Sequence, residues 1–213
     1  MMARNKTEAR RSIYGVHPAV AMVRKWIEDL PEKTGRSLDE WMRLVRDEGP
    51  ASEKERRAWL KSEHGIGTNI AAWMAARASG GEMGIADEDP ESYLLAAEGY
   101  VQAMYEGPKA ALRPIYDRLL KLGLDVGPDV KACPCKTIVP LYRNHVFAQL
   151  KPTTRTRVDL GLALRETSAT GRLIDTGGFA KKDRITHRIP ISSVNEIDQE
   201  VVDWLTAAYD LDA

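Results

Sequence analysis

Cysteine is nearly absent, with two residues in a chain of 213, so no disulfide scaffold organises the fold and a reducing compartment is implied. Phenylalanine is scarce as well, at two residues, and the basic stretch 131–191 holds only Tyr142, Phe147 and Phe179 as aromatics, which leaves little there to stack on the bases of a single-stranded nucleic acid. No run approaches the roughly eighteen apolar residues of a membrane span. The basic opening MMARNKTEARRSIYG has no apolar stretch behind it, so neither a membrane anchor nor a secretory leader is expected, and the reading is cytoplasmic. Also missing are a phosphate-binding P-loop, a dinucleotide fingerprint, an HExxH pair and a nucleophile elbow, so no catalytic residue, metal or cofactor is expected.

What is present is ordinary for a folded protein: 43% hydrophobic and 29% charged residues, with no net charge. That zero conceals a strong division along the chain. Residues 131–191 carry 12 Lys and Arg against 4 Asp and Glu, whereas residues 192–213 carry none against 6. Residues 81–130 are acidic too, with 4 against 10. Such asymmetry bears on partners and solubility, not on fold.

Up to residue 80 the apolar residues recur at helical spacing. Pro18 opens a helix through Val20, Val23, Trp26, Ile27 and Leu30 that is expected to stop at Pro31. Ser37 with Glu40, and then Ser52 with Glu55, are capping signals for two more helices, and TNIAAWMAARA makes a fourth. Trp26, Trp41, Leu44, Trp59, Leu60, Ile70 and Trp73 are the expected core. The segment from about residue 30 to 75 closely resembles the small helical module known as domain of unknown function 4287.

Within it, HGIGTNIA has the form of a helix-hairpin-helix turn. On that reading Gly65 and Gly67 let the chain approach a phosphate, and the amides at Thr68 and Asn69 face the anion. The plainer alternative makes Gly65 a left-handed helix end and Gly67 a tight turn. His64 is expected to face solvent.

A glycine-rich and acidic stretch, residues 81–90, reads as a linker between a helical module, 1–80, and a second domain, 91–213. Two helices follow, one starting at Pro90 and one interrupted at Pro114 and ending at Gly123. Then the apolar period changes from 3.6 to 2. Residues 136–143, 145–151, 157–164 and 184–191 read as four strands, the first two joined by a tight turn at Arg143 and Asn144. A last helix, capped at Ser192 or Ser193, completes an α+β sandwich in which a mostly antiparallel sheet packs on flanking helices. From about residue 107 onward the chain strongly resembles domain of unknown function 5655. That resemblance implies likeness to small double-wing DNA-binding proteins and to frataxin-like iron-binding proteins. Glu196, Glu200 and Asp203 would be the carboxylates of a weak iron site of the latter kind.

Cys133 and Cys135 stand two apart, where a mutual disulfide would be strained and a zinc site would need two further ligands. They are read as strand residues without a role. The basic residues are more suggestive. Lys136, Arg143, Lys151, Arg155, Arg157 and Arg188, together with Lys181, Lys182 and Arg184, fall at strand ends, outward positions or loops. They would form a basic sheet surface suited to a nucleic-acid backbone without sequence preference. A phosphorylated small molecule, a protein partner and an ordinary solvated face are the alternatives.

Overall fold

The computed structural model describes residues 12–80 and 89–213. The expected linker therefore lies mostly outside the described residues, at 81–88, as does the basic start, residues 1–11. The described chain forms two compact units, Val16–Ala96 and a second made of residues 12–15 with Ala97–Ala213. None of its helices is long and apolar enough to cross a membrane.

The first unit contains α1 (Pro18–Thr34), α2 (Leu38–Asp47), α3 (Glu53–Ser62), α4 (Thr68–Ala78) and the start of α5 (Pro90–Met104). Helix α1 passes through Pro31 instead of ending there. The turn after the proline is held by local bonds at its end. The Thr34 hydroxyl donates to the Leu30 carbonyl at 2.7 Å, and Gly35, in the left-handed region at φ 73°, donates its N–H to the Pro31 carbonyl. The expected capping box at the head of α2 is complete, with Ser37 and Glu40 bonded to each other's backbone N–H groups. Trp41, Leu60 and Trp73 are buried in the core of this unit, and Trp26, Leu44, Trp59 and Ile70 pack partly buried against it. His64 does not face solvent. Its ring stands edge-on to Trp59 and Trp41, with centroids 4.4 and 5.2 Å away, because the turn after α3 folds it back over the indoles.

The second unit is an α+β structure. The end of α5 and a 3₁₀ turn, Gly107–Leu112, lead into α6 (Arg113–Asp125), which runs two residues past Gly123. Six strands follow: β1 (Lys131–Ala132), β2 (Val139–Tyr142), β3 (Val146–Lys151), β4 (Val158–Leu162), β5 (Ile174–Asp175) and β6 (His187–Ile191). They form one antiparallel sheet in the order β1-β2-β3-β4-β6-β5, so the four expected strands are its centre and two short strands edge it. The alternation in β4 sets the layers. Val158, Leu160 and Leu162 join Leu150, Ile189 and Ile191 in a core covered by Leu119 and Leu120 of α6 and by Val201 and Leu205 of α7 (Gln199–Asp210). Asp159 and Gly161 point to the opposite face, beside Lys151, Gln149 and Arg188 on the neighbouring strands.

The start of the last helix differs from expectation. Ser193 caps only a 3₁₀ turn, Val194–Glu196, and the cap of α7 is Asp198, whose carboxylate accepts from the Val201 N–H. Arg172 fixes this entry by donating to Asp198, to Glu200 and to the Glu196 carbonyl. Residues 12–15 join the unit through the Gly15 N–H, which donates to the Ala132 carbonyl, and through the hydroxyls of Tyr14 and Tyr116, 3.1 Å apart.

Candidate anion-binding site

The positive charge of residues 131–191 does not spread over the sheet as a free surface. Much of it is matched by carboxylates and by the carbonyl end of α7. Arg143 donates to Asp129 at 3.2 Å and to the Tyr209 carbonyl at 3.1 Å, and its guanidinium lies 4.1 Å from the centroid of the Tyr209 ring. Asn144 donates to the Asp212 carbonyl and Arg165 to that of Leu211, while His145 and Arg184 hold the buried Asp212 carboxylate. Cations at the end of a helix answer its exposed carbonyls and the negative pole of its dipole.

Arg157 and Arg188 are also committed. Both pair with Asp159, at 2.8 and 3.2 Å, on the face of the sheet opposite α6 and α7. Thr153 donates to the same carboxylate at 2.8 Å. Of the six sheet cations expected to meet an anion, Arg143, Arg157 and Arg188 thus already face carboxylates.

The other three converge. Lys136, Lys151 and Arg155 line one concavity of about 560 Å³ at the end of the sheet where β3 finishes and β2 begins. Thr137 and Thr153 add hydroxyls to its wall, and Lys109 adds a fourth cation from the 3₁₀ turn. Glu106 is the one carboxylate on the lining. Lys109 is tied in place by donating to the Pro152 carbonyl at 2.6 Å, so part of its charge is presented by a fixed ammonium. Lys136, Lys151 and Arg155 are exposed, and no ion pair between described residues uses Lys151 or Arg155. Four cations at close quarters repel one another, so an anion placed among them gains more than it would beside a single lysine. Lys109 was not legible in the sequence. It stands 27 residues before Lys136, in an acidic segment, and only the packing of the 3₁₀ turn beside the sheet end brings the two onto one wall.

In the helical unit, Gly65 has φ 65° and ends α3, with the following Ile66 N–H donating back to the Leu60 carbonyl at 3.0 Å. Gly67 caps α4 in extended geometry with no side-chain acceptor for the first-turn amides, and Thr68 and Asn69 are exposed. The turn therefore serves as a helix end whether or not an anion meets it.

The carboxylates considered for iron are separated in role. Glu196 lies before α7 and accepts from the Ser192 N–H, Glu200 pairs with Arg172 at 2.9 Å, and Asp203 accepts from Gln199. The described residues contain no group of three or more His, Cys, Asp or Glu placed to hold a metal ion.

Cys133 and Cys135, neither of them in a disulfide, lie in the connection from β1 to β2, where their N–H groups donate to the carbonyls of Pro140 and Ile138. Burial pushes the Cys133 thiol up to about 12 and the Cys135 thiol up to about 11. Because Cys133 is fully buried, it is not a neutral position for substitution. Cys133→Ser is expected to cost about 1–2 kcal/mol by placing a hydroxyl where a thiol packs. Cys135→Ser, at a half-buried site, should cost less, and urea denaturation of the two variants measures the difference.

No curated protein and no solved structure matches the chain. The helical unit, over residues 22–80, matches the family model described as Domain of unknown function (DUF4287). Residues 101–212, more than half of the chain and nearly all of the sheet-bearing unit with its basic concavity, match a second model, and the chain belongs to the family described as Domain of unknown function (DUF5655).

Proposed function

We propose that this protein binds a phosphorylated small molecule, held by its phosphate in the concavity of Lys109, Lys136, Lys151 and Arg155. The single observation behind this reading is the convergence of four cations on one recess, against a single carboxylate. At about 560 Å³ the recess has the size of a small-ligand site. Lysine ammonium groups suit phosphate as point charges, and the Thr137 hydroxyl can donate to its oxygens, that of Thr153 being held by Asp159. A nucleic-acid backbone running along the sheet is less well supported, since Arg143, Arg157 and Arg188 would first have to leave Asp129 and Asp159.

Calorimetric titration with inorganic pyrophosphate tests the reading. Saturable binding is expected, weakened about five- to tenfold by Lys151→Ala or by Arg155→Ala, the loss of one exposed charge contact in each case. Duplex DNA of mixed sequence is the control. Binding of the duplex undiminished by excess pyrophosphate would favour an extended backbone contact, and absence of saturable pyrophosphate binding up to about 10 mM would refute the site.

A further inference from the structure

We propose that the sheet-bearing unit carries a second site, for a small aromatic carboxylate, independent of the phosphate reading. The site is a concavity of about 630 Å³ formed by the chain after β4, the loop 176–184 and the end of α7. It shares no lining residue with the phosphate recess.

Its lining differs in kind from that recess. Ala163, Phe179 and Leu211 make an apolar wall, and Phe179 and Leu211 remain 48% and 37% exposed. Covering a phenyl ring and a leucine with a flat apolar body removes that surface from water, and the ring favours an aromatic partner by offset or edge contact. Arg165, Lys182 and Arg184 supply cations around it, with Asp183 the only acid on the wall. Arg184 is already held by Asp212 and by the Val146 carbonyl. Arg165 spends one nitrogen on the Leu211 carbonyl and keeps other donors, and no side-chain bond between described residues engages Lys182. The available charge therefore suits one carboxylate better than a polyphosphate.

A second observation falls on the same two residues. Among the described residues, two that are not glycine adopt left-handed backbone, Arg165 at φ 55° and Lys182 at φ 60°, and both line this concavity. Glycine would occupy either position without strain. What the strained residues add over glycine is a cation on the wall of a half-apolar recess, and strain of this sort gathers at ligand clamps.

The test uses 1-naphthoate and its neutral analogue 1-naphthalenemethanol, followed by calorimetry on the full chain. Naphthoate should bind saturably and the alcohol about tenfold more weakly. Phe179→Ala, a change at an exposed position that folding tolerates, should lower naphthoate affinity about tenfold. Lys182→Gly should raise Tm by releasing the strained backbone while weakening naphthoate about fivefold. The proposal is overturned if the native protein shows no saturable naphthoate binding up to about 10 mM, if the alcohol binds equally, or if Phe179→Ala has no effect. A Lys182→Gly variant with raised Tm and unaltered affinity would remove the role of the cation.

Discussion

Asp159→Ala should cost about 3 kcal/mol of stability and lower Tm by about 6–12 °C, among the largest effects of any surface-facing substitution in the chain. Asp159 is only 8% exposed although it lies on the face opposite α6 and α7, because Arg157, Arg188 and Thr153 close over it. Removing the carboxylate leaves two half-buried guanidinium groups facing each other across the gap and the Thr153 hydroxyl without its acceptor. Losing one arginine is milder, since Asp159 keeps the other. Arg157→Ala and Arg188→Ala should each cost about 1 kcal/mol, and thermal unfolding of the three variants distinguishes a shared acceptor from two unrelated surface pairs. If Asp159→Ala melts within a degree or so of the native protein, the cluster contributes nothing.

Gly178→Ala should be comparably harmful, at about 3 kcal/mol. Here the cause is space. A Cβ on Gly178 would collide with the Ile185 carbonyl oxygen and press on the Thr186 backbone, neither of which can rotate away as a side chain can. The neighbouring Thr176 meanwhile donates both its N–H and its hydroxyl to the Thr186 carbonyl, so the loop cannot swing outward without losing these bonds. Gly67→Ala is the contrast, because a Cβ there meets nothing within 4 Å. Its cost should be limited to the poorer capping of alanine, about 1 kcal/mol or less. Chemical denaturation of the pair measures whether backbone crowding or mere loss of glycine governs the effect.

Where short-range chemistry decides, the sequence is transparent. Ser37 and Glu40 place the start of α2 because both partners of the capping box lie within one turn, and the alternation of Val158, Leu160 and Leu162 against Asp159 and Gly161 fixes which face of β4 meets the helices. Misreadings arise where a distant partner intervenes. Pro31 stops a helix in isolation, yet Thr34 and Gly35 carry α1 past it. Ser193 is a good cap, but Arg172, reaching from a loop more than twenty residues away, holds the real start of α7 at Asp198. The strands β1 and β5, with two residues each, are too short to leave a period.

The site is legible only in part for the same reason. A count of charges finds Lys136, Lys151 and Arg155, and equally finds Arg143, Arg157 and Arg188. It cannot tell that Asp159, inside a strand, and Asp129, before the sheet, neutralise the second group, while no ion pair between described residues uses Lys151 or Arg155 of the first. Nor does composition attach Lys109 to them, since its segment is acidic and its neighbours are helical. Pairing and recess shape are properties of the folded chain, and they move the functional reading from an open basic surface to a compact phosphate pocket.

The most direct measurement of that reading is residue-resolved amide NMR of the full chain during titration with inorganic pyrophosphate. The account predicts saturable shifts concentrated at Lys136, Thr137, Lys151, Thr153 and Arg155, with a companion change at Lys109, and little at Arg143 or Arg188. Shifts confined to Gly65, Gly67, Thr68 and Asn69, shifts spread over Arg143, Arg157 and Arg188, or none at all would contradict it.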